Sequence, residues 1–358
     1  MMTPRGKRTV VITGASAGVG RAIAHRFAAA GCRLGLIARD AAALRDVVEE
    51  VERMGADALA APADVADADA VFEAATAVRA RFGPIDVWVN DAMATIFAPV
   101  WQVSPAEYRR VTEVTYLGAV HGTMAALRDM RGRDQGSIIQ IGSALAYRGI
   151  PLQAAYCGAK HAIRGFTDSL RCELMHADSG VTVTMMELPA VNTPQFDWAR
   201  TRMPRQPRPV APVVQPEVVA DAVFRASLVP RREYWIGWST IKVILGNMAL
   251  PGFADRYLAA KIVEAQETRL PVTPNRRDNL MAPVHDLHRT RGRFGGEAQA
   301  SAWVITGEMA RLVPLVAGAA AFFVLGLAAG RGRSWRSSGQ PRRLGATDMK
   351  RRLALLLR

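Results

Sequence analysis

The sequence predicts an α/β fold built on a doubly wound parallel sheet, followed by a C-terminal helical extension and a membrane-associated helix. Short apolar segments alternate with longer amphipathic ones through the first two-thirds of the 358 residues. This alternation is the pattern of a parallel sheet with helices on both faces. A glycine-rich loop follows the first apolar segment, and polar residues follow several later ones. Because open α/β sheets bind ligands at the ends of their strands, these positions are the first candidates for a site.

The composition indicates a globular chain. Half of the residues are apolar and 22% are charged, as in ordinary soluble domains. The three cysteines, Cys32, Cys157 and Cys172, have unrelated spacings, which predicts neither a disulfide framework nor a zinc site. No secretory signal is recognisable at the start, so we expect the catalytic region to face a reducing cytoplasm.

The first strand, Thr9–Thr13, runs into the loop Gly14-Ala15-Ser16-Ala17-Gly18-Val19-Gly20. A strand, a glycine loop and a helix in this order cradle the pyrophosphate of a dinucleotide. Gly14 permits a tight turn, Gly18 lets the backbone approach the phosphates, and Gly20 lets the helix pack closely. A glycine loop alone also serves as a plain turn, but its position here favours a cofactor site that includes Ser16 and Val19.

The second strand, Leu34–Ala38, ends where the adenosine ribose of a dinucleotide lies. Arg39 is the first polar residue after it. An Arg at this place pairs with a 2′-phosphate, which favours NADP and leaves NAD possible. Asp40 equally suits a helix cap, in which case Arg39 is solvated. Asp64 and Val65 follow the third strand and are predicted to meet the adenine edge, although Asp64 also suits a helix cap.

Two further strands end in polar residues. Ile85–Asn90 ends in a predicted cofactor contact, Asn90, and Ser137–Gly142 is followed directly by Ser143. Between these strands, the capping box Ser104–Glu107, with Pro at the first helical position, opens a long helix. Ser143 alone is typical of a turn at a strand end, so its meaning depends on the residues around it.

Tyr156 and Lys160 are four residues apart in a predicted helix. This spacing places both side chains on one face, one turn apart. The ammonium group favours the phenolate, so we expect Lys160 to lower the pKa of Tyr156 towards working pH. Without other motifs, a Tyr-x-x-x-Lys pair would be interpreted as an ordinary surface pair.

Together these motifs resemble the short-chain dehydrogenase/reductase family over about residues 7–196. The resemblance implies a Rossmann-like, NAD(P)-binding catalytic domain over residues 1–240. It also implies that Tyr156 is the acid and base, that Lys160 holds the nicotinamide ribose, and that Ser143 orients the substrate oxygen. The matching motifs are Thr13-Gly14-x-x-x-Gly18-x-Gly20, Asn90-x-Ala92, Ser143 and Tyr156-x-x-x-Lys160.

Three positions depart from that family's pattern. Met93 stands where Gly is common, Thr115 where the fourth catalytic residue is usually Asn, and Ala190 where Gly usually follows Pro189. A Thr hydroxyl supports a proton relay but cannot supply both functions of an amide. Thr193 is still predicted to contact the nicotinamide carboxamide, and we interpret the chain as an active enzyme.

The region that follows is expected to shape the substrate pocket. A mobile loop over the cleft is predicted at 203–216, then a helix at 217–228 and the last strand at 234–237. Residues 241–268 form an apolar helical extension near the cleft. Its composition suggests a lipophilic substrate, although ordinary core packing explains it equally well.

Residues 269–305 are rich in Pro and Arg and predict an extended linker. His285 and His288 lie within it without further metal-ligating residues, so we expect them to be solvated and predict no metal site. Residues 306–330 predict a membrane helix, since 312–330 carry no charge and are long enough to span a hydrocarbon core of about 30 Å. A buried core helix is the alternative.

The basic tail, residues 331–358, carries nine Lys or Arg against one Asp, and therefore +8 of the formal net charge of +14. The remaining chain is only mildly basic. Apart from Trp335 the tail lacks aromatic residues, so it favours anionic lipid over nucleic acid as a partner. A single span cannot keep both the catalytic domain and this tail in the cytoplasm, and an interfacial hairpin resolves that conflict.

The expected function is that of a membrane-associated, NADP-preferring oxidoreductase. Its substrate would be a lipophilic carbonyl compound or secondary alcohol, and we expect a homo-oligomer. The alternative is a non-catalytic nucleotide-binding sensor of redox state. The intact set of Ser143, Tyr156 and Lys160 argues against that alternative.

Overall fold

Eight strands form one central sheet in the computed structural model, which describes residues 7–312. The strands are β1 Thr9–Thr13, β2 Arg33–Ala38, β3 Asp57–Pro62, β4 Val87–Asn90, β5 Gly136–Ile141, β6 Val181–Glu187, β7 Glu233–Ile236 and β8 Val304–Thr306. Their order is β3-β2-β1-β4-β5-β6-β7-β8. The first seven run parallel and β8 pairs antiparallel with β7. The predicted parallel, doubly wound sheet is confirmed.

Helices connect these strands and cover the sheet. They are α1 Gly18–Ala28, α2 Ala41–Arg53, α3 Ala68–Phe82, α4 Pro105–Thr112, α5 Gly118–Met130, α6 Ala154–His176, α7 Pro216–Ala226, α8 Trp238–Ala249 and α9 Pro251–Ala265. The predicted capping box at the start of α4 is formed by Ser104 and Glu107. The long helix predicted after it is divided into α4 and α5 by a π-helical segment, Glu113–Leu117. Such segments often occur at functional sites.

Strand β1 shows how the sheet is buried on both faces. Val10 and Ile12 lie in an apolar cluster with Phe27 of α1, whereas Val11 lies in a second cluster with Trp88. All five side chains are fully buried. Successive side chains of a strand point to opposite faces, so a parallel sheet covered on both faces needs apolar residues throughout. The rigid sheet fixes the positions of the strand ends that carry the site.

Residues 269–305 are not the linker that their composition predicts. Glu267–Pro271 pairs with Arg205–Pro207, Ala298–Gln299 pairs with Val213–Val214, and β8 extends the main sheet beyond β7, which was the predicted last strand. The predicted mobile loop at 203–216 therefore contributes two short strands. Three isolated apolar side chains anchor this region in the core: Leu280, Val284 and Phe294. Because they follow no periodic pattern, the sequence does not reveal that they are buried.

Within residues 7–312, no helix is long and apolar enough to cross a membrane. The prediction of a membrane helix at 306–330 falls outside the described residues from residue 313 onwards, and the basic tail at 331–358 falls wholly outside them. Both therefore stay predictions from the sequence.

Candidate active site

A cleft of about 840 Å³ lies at the carboxyl ends of β1, β4, β5 and β6. The parallel sheet brings residues from distant parts of the chain to this edge. Gly20, Asn90 and Thr115 do not line the cleft, although the sequence predicts them in the site. The other predicted site residues do line it: Gly14, Ser16, Gly18, Val19, Arg39, Asp64, Val65, Ser143, Tyr156, Lys160 and Thr193.

The glycine loop is shaped so that side chains are excluded from it. Gly14 and Gly18 have φ angles of +74° and +58°, which L-residues with side chains rarely adopt. A Cβ atom on Gly14 would lie 2.9 Å from the backbone of Ala92, and one on Gly20 would lie 2.3 Å from the carbonyl oxygen of Gly14. Gly20 therefore serves the close packing of α1, as predicted, and the loop presents backbone rather than bulky side chains, as a pyrophosphate site requires.

Tyr156 and Lys160 lie on one face of α6, as their spacing predicts. The Nζ atom of Lys160 lies 5.5 Å from the centre of the Tyr156 ring. This ammonium group is almost fully buried and donates a hydrogen bond of 2.6 Å to the carbonyl oxygen of Ile141. That bond holds the lysine against the end of β5, two residues before Ser143.

The pKa of Tyr156 is raised, which differs from the expectation that Lys160 lowers it. Burial is the main cause, and the negative charges of Asp91 and Glu187 act in the same direction. A hydrogen bond with Ser143 opposes the rise. Tyr156 is therefore held in its protonated form, which is the form that donates a proton.

Ser143 is positioned by a buried carboxylate that the sequence did not point to. Its backbone N–H donates to Oε2 of Glu187 at 2.8 Å, and its hydroxyl accepts from the N–H of Leu145 at 3.1 Å. Burial raises the pKa of Glu187 to about 8, and the charge of Glu233 adds to this effect. The N–H of Ser143 and the charge of Lys160 oppose it.

We expect Glu187→Gln to make stability less dependent on pH. Because the folded-state pKa is raised from 4.5 to about 8, the stabilisation is fully present below pH 4.5 and is lost as the pH rises through 8. Wild-type protein should lose about 2–5 kcal/mol across that range from this group, whereas the variant keeps an oxygen acceptor for Ser143 without the titration. Urea unfolding at pH 5, 6.5 and 8 measures the difference. Glu173→Gln, at an exposed position of α6, is the control, and equal slopes in all three proteins would contradict the assignment.

Asp91 is a second acid near Lys160, partly buried, that sequence reasoning passed over. It lines the cleft, and burial raises its pKa to about 7, against the charge of Lys160 and a hydrogen bond from the N–H of Gly20. Burial lowers the pKa of Lys160 to about 8, against the charges of Asp91 and Glu187. The sequence feature that could have indicated this acid is its position between the motif residues Asn90 and Ala92.

Asn90 is not placed to contact a cofactor. Its Oδ1 atom accepts from the indole N–H of Trp88 at 2.8 Å. Its Nδ2 atom donates to the carbonyl oxygen of Ala119 and to the side chains of Thr123 and Gln140. The amide thus joins β4 to β5 and α5 behind the cleft, and the predicted cofactor contact is wrong for its side chain.

Thr115 likewise has a structural role. It is buried in the π-helical segment, where its hydroxyl donates to the carbonyl oxygen of Ala94 and accepts from the N–H of Ala94, both at 3.0 Å. The single hydroxyl proton is therefore used within the protein. Thr115 thus holds the segment that follows Met93, and its part in a proton relay stays a prediction from the sequence.

Arg39 and Asp40 lie at the end of β2, beside the glycine loop. The guanidinium of Arg39 donates to the carbonyl oxygens of Asn279, Leu280 and Met281, and burial lowers its pKa. Asp40 caps α2 by accepting from two backbone N–H groups, as the alternative interpretation predicted. Burial by itself would raise the pKa of Asp40, but the N–H of Ala43 and two histidines outweigh it, and the net pKa is lowered.

Asp64 and Val65 lie at the end of β3. Asp64 forms an ion pair with Arg110 and accepts a hydrogen bond from the N–H of Ala66. The cap of α3 is Asp67 instead, so the helix-cap interpretation of Asp64 is wrong. The side chain of Val65 is buried and its carbonyl oxygen contacts the His121 ring at 2.9 Å. Thr193 lies against the loop, where a Cβ on Gly18 would be 3.1 Å from its methyl group.

The family model described as short chain dehydrogenase matches residues 8–203, which is more than half of the chain. The chain belongs to the short-chain dehydrogenase/reductase family. One relative of this dehydrogenase is the uncharacterized oxidoreductase YxnA of Bacillus subtilis (strain 168). It is 30% identical over 290 residues, which are 80% of this chain and 82% of that protein. The enzyme is therefore an NAD(P)-dependent dehydrogenase or reductase.

Two solved structures of the family resemble this dehydrogenase. A metagenomic short-chain oxidoreductase in complex with NADP is 29% identical, with a TM-score of 0.52, over 62% of this chain and 90% of that one. An alcohol dehydrogenase from Thermococcus sibiricus, complexed with 5-hydroxy-NADP, is 27% identical, with a TM-score of 0.55, over 64% of this chain and 96% of that one. The family model ends at residue 203, so residues 204–358 lie beyond it.

The geometry of the short-chain dehydrogenase site fits a dinucleotide. The glycine loop forms a cradle that a Cβ atom would fill. Residues at the ends of β2 and β3 border the same cleft as Ser143, Tyr156 and Lys160. The cleft therefore joins a nucleotide-binding end to an end that carries acid–base groups.

Proposed function

We propose that this enzyme transfers hydride between NADP(H) and the carbonyl or secondary alcohol group of a lipophilic substrate, with Tyr156 as the acid and base. The observation that carries the proposal is that Ser143, Tyr156 and Lys160 border one cleft together with the glycine loop. The nicotinamide, when bound, supplies or accepts the hydride. The chain's own residues hold the substrate oxygen and move its proton.

In reduction, Tyr156 donates the proton of its hydroxyl to the substrate oxygen. Burial favours this starting state because it raises the pKa of the phenol. The hydroxyl of Ser143 donates a hydrogen bond that holds the substrate oxygen beside Tyr156. The ammonium group of Lys160 stabilises the phenolate that the transfer leaves behind, and in oxidation the same groups act in reverse.

The preference for NADP is supported by the surroundings of Arg39. It lines the nucleotide-binding end of the cleft, and its hydrogen bonds go to uncharged backbone carbonyl groups. Among the described residues it forms no ion pair, whereas neighbouring Asp64 pairs with Arg110. Its positive charge is therefore available for a 2′-phosphate.

A lipophilic substrate is supported by the outer wall of the cleft. Helices α8 and α9 supply most of this wall, and α9 buries none of its residues fully. Phe253 stacks on Tyr257 at the wall, and both rings are more than half exposed. Apolar surface left open beside a catalytic centre suits an apolar substrate. The apolar wall residues are Val243, Leu250, Phe253, Tyr257, Leu258 and Ile262.

The proposal is tested by turnover of carbonyl compounds of increasing chain length with NADPH and with NADH. We expect kcat/KM to be higher with NADPH and to rise with substrate hydrophobicity. Arg39→Leu should raise the KM for NADPH about 10- to 100-fold relative to that for NADH, because it removes the charged partner of the 2′-phosphate. Arg53→Leu, at the far end of α2, is the matched control.

An equal loss with both cofactors would contradict the role of Arg39 in selecting NADP. Tight cofactor binding without turnover of any compound would instead favour the redox-sensor alternative. Membrane association through 306–330 and homo-oligomer formation remain part of the proposal on sequence grounds alone.

A further inference from the structure

We propose that residues 276–292, here called the strap, form a wall of the cofactor site and that His288 contacts the adenosine ribose of bound NADP(H), at its 2′-phosphate. This inference rests on the proposed NADP-dependent function and deepens it. The strap lies beyond residues 8–203, which the family model matches. Its contribution is therefore particular to the C-terminal part of this chain.

The strap is tied to both sides of the nucleotide-binding end. On one side, Arg39 at the end of β2 donates to the carbonyl oxygens of Asn279 and Met281 at 2.5 and 3.2 Å. On the other side, the N–H of Gly18 donates to the carbonyl oxygen of Arg289 at 3.0 Å. The segment between these attachments thus crosses from the predicted ribose position to the predicted pyrophosphate position.

Burial and further hydrogen bonds hold the strap in this place. Leu280 is fully buried and belongs to the apolar cluster on one face of the sheet, and Val284 is also buried. Arg21 of α1 donates to the carbonyl oxygen of His288 at 2.8 Å. The N–H of Gly292 donates to the carbonyl oxygen of Asn192 at 3.0 Å. An exposed linker would have neither the apolar anchors nor these bonds.

His288 is the strap side chain best placed to bind a ligand. It lines the cleft together with Asn279, Pro283 and Val284, yet only 10% of its side chain is exposed. Its Nε2 atom lies 3.1 Å from a carboxylate oxygen of Asp40. Neither ring nitrogen forms a well-aligned hydrogen bond among the described residues. A buried imidazole that borders an open cleft in this way has hydrogen-bonding capacity for a bound group.

The charges around His288 favour a phosphate over a hydroxyl. Arg39 brings a guanidinium group to this end of the cleft, whereas Arg21 lies outside the cleft lining and is paired with Glu50. Asp40 would repel a phosphate, but its carboxylate accepts hydrogen bonds from the α2 backbone and from the ring of His285. The negative charge of Asp40 is therefore compensated. Arg39 and His288 remain as hydrogen-bond donors, and a charged 2′-phosphate gains more from such donors than a neutral 2′-hydroxyl does.

His285 provides a matched comparison within the same strap. Its Nδ1 atom lies 2.7 Å from the same carboxylate oxygen of Asp40. Its side chain is 72% exposed, and it is not among the residues that line the cleft. The two histidines thus share a protein partner and differ in access to the cofactor.

The experiment measures equilibrium binding of NADPH and NADH to the full-length protein by calorimetry. His288→Ala should raise the Kd for NADPH about tenfold or more, the effect of losing one hydrogen bond to a charged group. The Kd for NADH should change less. His285→Ala should change either Kd less than about twofold, and His288→Gln, which keeps a donor, should recover part of the loss.

A second measurement separates cofactor contact from unfolding of the strap. Trypsin cleaves after Arg, and the side chain of Arg277 in the strap is 68% exposed. The rate of cleavage after Arg277 therefore reports how readily the backbone of the strap opens to the protease. NADPH should slow this cleavage several-fold in wild type. Without cofactor, His288→Ala should be cleaved at the wild-type rate, so that its weaker binding reflects a lost contact.

Wild-type NADPH affinity in His288→Ala would overturn the inference, as would equal losses for NADPH and NADH. Unchanged trypsin cleavage of wild-type protein with saturating NADPH would also overturn it. These outcomes are independent of turnover. If the wild-type protein binds NADPH through His288 but reduces nothing, the proposed function fails and the strap assignment stands.

Discussion

Tyr156→Phe is expected to lower kcat by about 10²- to 10⁴-fold, the usual contribution of a positioned general acid. The substitution removes only the hydroxyl that donates the proton. The ring stays in place beside Lys160, whose Nζ atom lies 5.5 Å from its centre. Cofactor affinity should therefore change little. The measurement is single-turnover oxidation of NADPH with a carbonyl substrate, together with calorimetric titration of NADPH.

Tyr108→Phe is the matched control for this prediction. Tyr108 lies on α4, does not line the cleft and is partly exposed, so its variant should turn over at the wild-type rate. A Tyr156→Phe enzyme that retains wild-type turnover would contradict the assignment of the acid. A variant that loses NADPH binding as well would show that the hydroxyl serves the cofactor site.

The sheet and most of the catalytic set could be predicted because they depend on local order in the chain. Gly14 and Ser143 each follow a strand, and Tyr156 lies in the first turn of a helix. The position of each residue is therefore fixed by the end of the strand or helix beside it. Parallel strands then bring these ends to one edge. The placement of these residues needed only the order of strands and helices, whereas their roles were implied by the resemblance to the short-chain dehydrogenase/reductase family.

The orientation of individual side chains could not be predicted in the same way. Asn90 and Thr115 are correctly placed near the site, yet both turn their polar groups into the protein. Their partners are the backbone of Ala94 and side chains on neighbouring elements, which only the packed structure brings together. A polar residue at a motif position thus predicts location better than it predicts role.

The strap was missed for a related reason. Its contacts with Arg39 and Gly18 use backbone carbonyl oxygens, which any residue type supplies. Leu280 is one apolar residue among prolines and arginines and carries no periodic signal. The same lack of signal made His288 seem to be a solvated residue, whereas its side chain is nine-tenths buried.

Lys160→Met is expected to lower kcat/KM by about 10²- to 10³-fold, in line with the loss of one preorganised electrostatic group at a reacting centre. Lys160 is the cation that supports the phenolate of Tyr156, and its charge also holds down the pKa values of Asp91 and Glu187. Without it, Asp91, whose pKa is about 7, should become protonated at neutral pH, whereas Glu187, whose pKa is about 8, is already protonated there. The measurement is the pH profile of kcat/KM for carbonyl reduction.

The same profile distinguishes a role in catalysis from a role in packing. The pKa of Lys160 is lowered from 10.5 to about 8, so wild-type activity should decline as the pH rises through 8 and the ammonium group loses its proton. Asp91→Asn removes a negative charge that favours this ammonium group, so the decline should move to lower pH. In Lys160→Met the decline should be absent from the residual activity. An alkaline decline at the same pH in all three proteins would contradict the assignment, because a group other than Lys160 would then be needed to explain it.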